Sequence, residues 1–519
     1  MVWQPEIDEL KIRQKMAEQM GGPEGIARQH ERGKLTVRER IGALVDPGSF
    51  REYGKLAGRA TYDQKGKIES FVPSNNVSGL ANLDGRKVFI SGSDFTIRGG
   101  AGESDTAGID VGHGNPKPVD WRLPIVHLFD ATGGSVVTFE KLGRTYIPDG
   151  DFWLPAYRAL GTVPVVAAAL GSVAGGAAVM MCISHFSVMV KGISQIFPGG
   201  PPVVKAALGY DIAKEDLGDY RIHTQFSGVC DNVANTEAEA FQMIKRFLSY
   251  LPPNVWELPP WIAPNDDPER KEERLLSVIP RSGRRAYNPS SILKYVLDLD
   301  SVFELAPDYG KSRITALARV DGFPVGVMIN NPLHLGGSMD VDAGNKVIRF
   351  LLLCNTFHLP IVYFADEPGF LVGKESEKSG IERAGARLVC ATCETTVPWI
   401  TFIVRQAFGV AGSMQYRPGS GIYRRYSWPS GSWGSIHIEG GTTAAFRRVI
   451  EAAPDPEAKR QEIEQRLKTL SSPFRTAEAI GLDIIDPRDT RPLLCDFINL
   501  ARENMKTNLG PGNGPTYRP

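Results

Sequence analysis

The amino-acid sequence predicts an α/β fold built from two tandem copies of one unit. The main observation is internal repetition: four sequence blocks recur in the same order, at offsets between 234 and 241 residues. A fixed period of this kind indicates a duplicated structural unit. The matched blocks, in chain order, are Asp84–Gly100 with Asp321–Gly337, Leu123–Asp130 with Leu359–Asp366, Val163–Met180 with Val397–Met414, and Gly199–Gly200 with Gly440–Gly441.

The second observation is the alternation of short apolar runs with longer stretches of helical spacing. Short continuous apolar runs that end in glycine turns are typical of strands buried on both faces. The predicted strands are Pro124–Phe129, Val163–Leu170, Pro360–Phe364 and Trp399–Val404, and the predicted helices include Lys346–Phe357 and Gly380–Thr392. Both copies therefore have the pattern of an α/β domain.

A proline-rich and charged stretch, residues 251–274, marks the expected boundary between the two copies. We therefore assign residues 1–268 to the first domain and residues 269–519 to the second. The first residues predict a charged amphipathic helix rather than a signal peptide. The tail after Met505, rich in glycine, asparagine and proline, is expected to be disordered or loosely attached.

Composition disfavours several classes of function. Lys plus Arg and Asp plus Glu each number 59, so the formal net charge is zero. This balance gives no reason to expect a nucleic acid or an anionic membrane as a partner, and it does little to prevent self-association into an oligomer. The longest apolar run, Val163–Leu170, is too short to span a bilayer. We therefore expect a cytoplasmic protein, or one of the mitochondrial matrix if the source is eukaryotic.

The six cysteines do not predict a disulfide scaffold in a chain of 519 residues. Cys390 and Cys393 form a single C-x-x-C, without the second pair that a zinc site needs. We interpret both as members of the apolar core of a helix. No metal is expected in this chain.

The third repeated block carries the pattern that points to chemistry. In the first copy a predicted strand ends in Gly-Ser-Val-Ala-Gly-Gly-Ala, residues 171–177, and the second copy has Phe-Gly-Val-Ala-Gly at residues 408–412. A strand–glycine–helix junction exposes several backbone N–H groups at the positive end of a helix. Such a turn can bind phosphate, stabilise an oxyanion, or be only a tight turn. Phosphate is disfavoured because neither turn has the P-loop lysine or the G-x-G-x-x-G spacing.

Motifs spread over nearly the whole chain resemble one family. They are His30–Arg40, Ala174–Ala177, His223–Val229 and Leu248–Pro252 in the first copy, and Asn331–Pro332, Pro368–Leu371 and Arg405–Gly409 in the second. With these motifs the sequence resembles the carboxyltransferase (β) subunits of biotin-dependent acyl-CoA carboxylases, which act on propionyl-, methylcrotonyl- and related CoA thioesters. The resemblance implies two crotonase-like domains (the ClpP/crotonase ββα-spiral fold). It also implies a hexamer, arranged as a trimer of dimers.

The resemblance further implies that the first domain binds the acyl-CoA and the second receives carboxybiotin. Carboxybiotin would release CO2, and the freed ureido nitrogen would take the α-proton of the thioester. We assign the amides of Gly175 and Gly176 to the enolate oxygen, and those of Val410 and Ala411 to the ureido oxygen. The additional expected substrate-binding residues are Ala174, Gly133, Gly134, His223, Gly412 and Ser413.

The partners follow from what the sequence lacks. It has no Met-Lys-Met biotinylation motif and no ATP-grasp-like segment. A biotin carboxylase and a biotin carboxyl carrier would therefore be separate polypeptides. Two alternatives stay open: a biotin-dependent decarboxylase or transcarboxylase, which uses the same half-reaction, and a catalytically silent scaffold subunit.

Departures from the family pattern concern the substrate. The loop after Asp130 lacks the arginine that family members carry, which keeps the scaffold alternative open. Ser413 beside Gly412 suggests a roomier or more polar pocket, and residues 415–433 would form its wall. His223 is expected either to order a loop or to contact substrate.

Two acidic residues end matching strands of the two copies. Asp130 follows Pro124–Phe129, and Asp366 holds the equivalent place in the second copy. We interpret both as caps of the turns that follow them rather than as catalytic groups.

Overall fold

The computed structural model describes residues 2–101, 119–147, 153–264, 266–283, 285–415, 421–512 and 517–519. The chain forms two compact units: Met1–Glu257 with Arg518–Pro519, and Leu258–Tyr517. Among the described residues, no helix combines the length and the apolar character that crossing a membrane requires.

The segment just after Glu257 packs with the second unit. The indole N–H of Trp261 donates to the carbonyl of Asp321 (2.9 Å), and the amide of Ile262 donates to the carbonyl of Gly322 (3.2 Å). The division therefore lies before these residues, ahead of the expected boundary after residue 268.

The first unit contains one large sheet. Its strands are β1 (Arg51–Tyr53), β2 (Gly58–Tyr62), β3 (Ile68–Pro73), β4 (Asn76–Leu83), β5 (Arg86–Ser93), β6 (Ile125–Ala131), β7 (Val165–Ala174), β8 (Phe186–Val190), β9 (Gln195–Phe197) and β10 (Asn232–Ala234). The sheet order is β1-β4-β5-β6-β7-β8-β10, and β9 pairs with β7. The pairs β1–β4 and β4–β5 are antiparallel, and the pairs from β5 onward are parallel. β2 and β3 form a separate ribbon.

Helices connect these strands. They are α1 (Gln4–Glu18), α2 (Gly22–Glu31), α3 (Val37–Leu44), α4 (Val137–Leu142), α5 (Trp153–Leu160), α6 (Gly176–Cys182), α7 (Pro201–Leu208), α8 (Lys214–Gly218) and α9 (Glu237–Tyr250). Arg98–Gly100 forms a 3-10 turn, and Ile222–Phe226 forms a π-helical turn. α3 begins with a capping box, in which the Thr36 and Glu39 side chains satisfy each other's backbone amides.

The second unit repeats this architecture. Its strands are β11 (Phe303–Leu305), β12 (Arg313–Val320), β13 (Phe323–Asn330), β14 (Ile361–Glu367), β15 (Trp399–Phe408), β16 (Tyr423–Ser427), β17 (Ser432–Gly434) and β18 (Asp483–Ile484). The sheet order is β11-β12-β13-β14-β15-β16-β18, and β17 pairs with β15.

The helices of the second unit lie mainly in its carboxyl-terminal part. They are α10 (Ser290–Val296), α11 (Val341–Thr356), α12 (Lys374–Ser379), α13 (Ile381–Glu394), α14 (Gly409–Ser413), α15 (Ile438–Ala445), α16 (Arg447–Glu451), α17 (Pro456–Leu470), α18 (Pro473–Ile480) and α19 (Thr490–Met505). Short 3-10 turns occur at Glu273–Leu276, Leu335–Gly337 and Pro487–Asp489.

The matching strand orders confirm the tandem duplication. The first three sequence blocks align β5, β6 and β7 with β13, β14 and β15, respectively. The predicted match of the fourth block is wrong, because Gly199–Gly200 precede α7 whereas Gly440–Gly441 lie inside α15. A block that consists of two glycines alone contains too little sequence information to fix an alignment.

The centre of each sheet is buried on both faces. β7 and β15 each have parallel neighbours on both sides, and nearly all of their residues are buried. This explains why both strands have continuous apolar sequences instead of an alternating pattern.

Two expectations about side-chain burial were wrong. Cys390 and Cys393 are exposed, because the buried face of α13 is formed by other residues, including Ala384 and Leu388. In the tail, Tyr517 is buried, and its hydroxyl accepts a hydrogen bond from the Arg349 guanidinium (3.3 Å). The end of the tail is thus attached to α11.

Candidate active site

The first glycine turn joins β7 to α6. β7 ends at Ala174, Gly175 has φ +62° and ψ −129°, and α6 begins at Gly176. Residues with a side chain rarely adopt such a positive φ, so the turn requires glycine at position 175. Gly176 is exposed and Ala174 is buried. The turn therefore presents its backbone, and not a side chain, to the surroundings.

The predicted loop glycine Gly133 lies directly against this turn. A Cβ placed on Gly133 would be 3.1 Å from the carbonyl oxygen of Ala174, and one placed on Gly175 would be 3.8 Å from the Gly133 Cα. Gly133 also has a positive φ of +84°. The structure therefore brings Gly133, Ala174 and Gly175 together. Gly134 follows with open space around its Cα.

The two predicted donors of this turn differ in their hydrogen bonding. The Gly175 amide donates to the carbonyl of Phe197 in β9, at the long distance of 3.3 Å. The first intrahelical bond of α6 runs from the Val179 amide to the Gly175 carbonyl (3.2 Å). The Gly176 amide, which precedes that bond, has no partner among the described residues. Gly176 is thus the freer donor of the two.

His223 uses both ring nitrogens within the first unit. Its Nε2 lies 2.7 Å from the carbonyl of Ile196 in β9, and its Nδ1 lies 3.0 Å from Ser227 Oγ. A neutral ring with the proton on Nε2 satisfies both contacts, and burial lowers the pKa of His223. His223 therefore orders β9, the strand beside Gly175. This geometry favours the loop-ordering role over the substrate contact.

The second glycine turn joins β15 to α14 and repeats the first. Gly409, which corresponds to Gly175, has φ +64°. Gly369, which corresponds to Gly133, also has a positive φ, and a Cβ on it would be 3.8 Å from the carbonyl oxygen of Phe408. Each turn is thus packed against a loop glycine of the neighbouring strand.

The first residues of α14 have amides without an intrahelical partner. Val410 is 61% exposed and Ala411 is 3% exposed. Among the described residues, neither amide has a hydrogen-bond acceptor. The Ser413 hydroxyl donates to the Val410 carbonyl (2.6 Å). Gly412 is close to β15: a Cβ on it would be 2.5 Å from the carbonyl carbon of Ala407. Its lack of a side chain is thus explained by packing.

A cavity of about 340 Å³ lies beside the second turn, and Gly409, Gly412 and Ser413 are among its lining residues. Gln415, Arg425 and Trp433, from the segment expected to form a pocket wall, also line it. The Gln415 side-chain oxygen is buried without a hydrogen-bond partner.

Asp130 and Asp366 are not caps of the following turns, contrary to our interpretation. Both are fully buried, and both accept hydrogen bonds from cationic side chains. The Asp366 carboxylate binds Arg405 (2.9 Å), the Gln406 side chain (3.1 Å) and the Tyr287 hydroxyl (3.1 Å). Burial raises the pKa of Tyr287, which therefore remains a donor.

The partners of Asp130 come from the amino-terminal segment, which the sequence analysis had not assigned to the site. The Lys34 ammonium lies 3.0 and 2.8 Å from the two Asp130 oxygens, and the Gln29 side chain lies 3.0 Å from one of them. Arg40 donates to Asp130 (3.1 Å) and to Glu237 (2.8 Å). Burial lowers the pKa of Lys34, and Asp130 opposes this shift.

The described residues contain no group of three or more His, Cys, Asp or Glu side chains placed to hold a metal ion. The chemically distinctive elements of both units are backbone amides. The two sheets have the same strand order, and each has a glycine turn at the start of a helix.

Comparison with known proteins assigns this arrangement to a family. The family described as "Carboxyl transferase domain" matches residues 28–511. The propionyl-CoA carboxylase carboxyltransferase subunit of Haloferax mediterranei is 34% identical over 518 residues, 99% of each chain. The methylmalonyl-CoA carboxyltransferase 12S subunit of Propionibacterium freudenreichii subsp. shermanii is 31% identical over 512 residues, 98% of this chain and 96% of that one. The methylmalonyl-CoA decarboxylase subunit alpha of Veillonella parvula is 31% identical over 489 residues, 93% of this chain and 94% of that one.

Solved structures give the same result for the fold. The transcarboxylase 12S crystal structure, described as a hexamer assembly with methylmalonyl-coenzyme A and methylmalonic acid bound, has a TM-score of 0.86 at 29% identity. The match covers 99% of this chain and 96% of that one. A single-chain, multi-domain long-chain acyl-CoA carboxylase has a TM-score of 0.75 at 26% identity, covering 95% of this chain and 50% of that one.

The chain belongs to the carboxyl transferase family. It is an enzyme of the carboxyltransferase class, and its fold is a tandem pair of crotonase-like domains. The family resemblance and the fold class expected from the sequence are confirmed.

Proposed function

We propose that this enzyme transfers a carboxyl group from carboxybiotin to the α-carbon, or the vinylogous carbon, of an acyl-CoA thioester. The observation that supports the proposal is the pair of equivalent glycine turns, after β7 and after β15. The amides of Gly176 in the first turn and of Val410 and Ala411 in the second lack partners among the described residues. Carboxybiotin supplies the CO2 and, after release, a ureido nitrogen that accepts the α-proton.

The first turn would hold the enolate oxygen of the thioester. The α-proton is weakly acidic, so the reaction needs fixed donors where negative charge develops. The Gly176 amide is free to donate, and the Gly175 amide would have to exchange its 3.3 Å bond to Phe197 for a bond to substrate. Each such donor contributes roughly 3 kcal/mol to transition-state stabilisation in known oxyanion holes.

The second turn would hold the ureido oxygen of biotin. The amides of Val410 and Ala411 lie in the first turn of α14, where the helix dipole favours negative charge. The adjacent cavity of about 340 Å³ would accommodate a compact ring. A side-chain base is unnecessary in this scheme because the ureido nitrogen accepts the proton.

The assembly we propose is a complex with separate subunits. The biotin carboxylase and the biotin carboxyl carrier would be other polypeptides, and the chain would form a homohexamer. The transcarboxylase 12S structure, described as a hexamer assembly, supports this part of the proposal.

The test is reconstitution. The chain is purified with candidate biotin carboxylase and carrier subunits, and ATP- and bicarbonate-dependent carboxylation is measured across a panel of acyl-CoAs. Turnover with at least one acyl-CoA supports the proposal. Absence of turnover with all of them, although the carrier becomes carboxylated, contradicts it. Ser413, which the family resemblance assigns to the substrate pocket, is small and polar, so we expect substrates larger or more polar than acetyl- and propionyl-CoA to be preferred. A clear preference for those two would contradict the pocket argument.

A second candidate is the reverse or exchange reaction, as a decarboxylase or transcarboxylase. Relatives named methylmalonyl-CoA decarboxylase and methylmalonyl-CoA carboxyltransferase, both 31% identical, support it. Incubating the chain with a carboxylated acyl-CoA and free biotin measures this direction. A silent scaffold subunit is disfavoured because Gly176 is exposed and its amide has no partner among the described residues.

A further inference from the structure

Buried charges hold together the two strands that carry the first turn and its neighbouring loop. Arg40 is 1% exposed, and its guanidinium donates to Asp130 at the end of β6 and to the Leu170 carbonyl in β7 (2.6 Å). Two further bonds join it to Glu237 in α9 (2.8 and 3.1 Å). One side chain therefore links two adjacent strands and a helix.

We infer that Arg40 and Lys34 are positioning residues for the first turn, so that residues 29–40 act as a functional part of the carboxyltransferase site. The inference rests on the proposed function, because it takes the Gly176 amide as a donor to the enolate. Neither side chain is proposed to touch substrate.

The distances along the chain support this inference. Gly133 follows Asp130 by three residues, and Ala174 follows Leu170 by four, so both bonded groups lie close to the glycine pair. A Cβ on Gly133 would be only 3.1 Å from the Ala174 carbonyl oxygen. The separation of the two strand ends therefore sets where the turn amides lie.

The second unit performs the same task with a different residue. Arg405 lies in β15 itself and binds Asp366 in β14. The equivalent position in β7 is Gly171, where even a Cβ would overlap the carboxylate of Asp130. The first unit thus has no cation on its own strand, and the amino-terminal segment supplies one instead.

The geometry of this network depends on the number of bonds that each cation makes. Lys34 lies over the Phe95 ring (4.2 Å to its centroid) and is 7% exposed, so the Asp130 carboxylate is its main polar partner. A lysine at position 40 would keep the charge but could not reproduce the planar set of bonds that arginine makes. A small displacement of the donors then lowers the rate, because catalysis depends strongly on donor placement.

The test compares Arg40→Lys with Arg491→Lys. Arg491 is also 1% exposed; it binds Asp298 (2.9 Å) and the Val296 carbonyl (2.9 Å), and it lies near Asp266 (3.4 Å). The two substitutions thus remove similar buried bonds in different units. Both variants are assayed in the reconstituted complex, with rates corrected for the folded fraction measured by circular dichroism.

We expect both variants to lose similar stability, but only Arg40→Lys to lower kcat for acyl-CoA, by about tenfold, with KM for the biotin carrier protein unchanged. A normal kcat in Arg40→Lys, or a loss in kcat of the same size in both variants, would overturn the inference. If Arg40→Lys does not fold, Lys34→Met is compared with Arg491→Lys under the same criteria.

These outcomes are distinguishable from failure of the proposed function. If the wild-type complex turns over and removal of the Gly176 amide abolishes turnover, the proposed function stands. An Arg40 variant of normal kcat would then reject only the positioning role.

Discussion

Gly176 and Val410 lie at equivalent positions, each two residues after the end of the central strand of its sheet. Each residue has an amide that precedes the first hydrogen bond of the following helix. The two side chains differ, but the backbone groups do not. An enzyme that uses these amides therefore depends on the peptide N–H at both positions and tolerates changes of side chain.

The first prediction concerns Gly176. Gly176→Pro removes the amide hydrogen at the first position of α6, where proline is well accommodated. We expect kcat for acyl-CoA carboxylation to fall by about 100-fold or more, as for the loss of one oxyanion donor. Gly176→Ala keeps the amide and is the control, with kcat expected within about threefold of wild type. Equal activity of the two variants would show that the amide is not a donor.

The second prediction applies the same substitution pair to the other turn. Val410→Pro removes the amide that we assign to the ureido oxygen, and Val410→Ala keeps it. We expect the proline variant to lose about 100-fold in decarboxylation of a carboxylated acyl-CoA with free biotin as acceptor. The side chain is 61% exposed, so the alanine variant should remain stable and active. A normal rate in Val410→Pro is the contradicting result.

The third prediction separates the two roles considered for His223. His223→Ala removes the contacts to Ile196 and Ser227. We expect a loss of about 1–2 kcal/mol in the free energy of unfolding, because the Ile196 carbonyl is left unpaired, with an unchanged KM for acyl-CoA. Ser227→Ala removes one of the two contacts and should cost less. A large rise in KM at normal stability would instead indicate a substrate contact.

The fourth prediction tests packing at the second turn. Gly412→Ala places a Cβ 2.5 Å from the carbonyl carbon of Ala407, and we expect a loss of about 1–3 kcal/mol in stability. Gly440→Ala, at an exposed position of α15 with open space around it, is the control. Alanine there should be neutral or stabilise by up to about 1 kcal/mol. Urea unfolding measures both, and equal stability of the variants would refute the packing argument.

The fifth prediction concerns pH. Burial lowers the pKa of His127 from its usual 6.5 to about 4. Between these values the unfolded chain binds a proton that the folded chain does not, so stability falls as pH decreases from about 6.5 to about 4. His127→Phe, which keeps the stacking on Phe129, should lose less stability over this range. Denaturant unfolding at pH 7, 5.5 and 4.5 measures the free energy of unfolding of both proteins. If this free energy fell equally with pH in wild type and His127→Phe, the prediction would be contradicted.

The central strands and both turns could be predicted because their signals are local. β7 and β15 are continuous apolar runs, and the glycines that end them align without a gap. The hydrogen bond from Gly175 to Phe197 could not be foreseen. It depends on β9, a strand of three residues whose apolar pattern is too short to identify.

The charged network beneath the first turn was missed for a different reason. Lys34 and Asp130 are 96 residues apart in sequence, and Arg40 and Glu237 are 197 apart. Nothing local indicates that they meet. The available signal was an acidic residue directly after a buried strand, which requires a cation when no solvent reaches it.

The difference between Gly171 and Arg405 means that the two halves of this gene product are no longer exchangeable. A chimera with the second-half strand in the first half would place three cations around one carboxylate. The reciprocal chimera would leave Asp366 without any guanidinium. Recombination within the duplicated gene is therefore constrained by charge balance, even where the strand orders match.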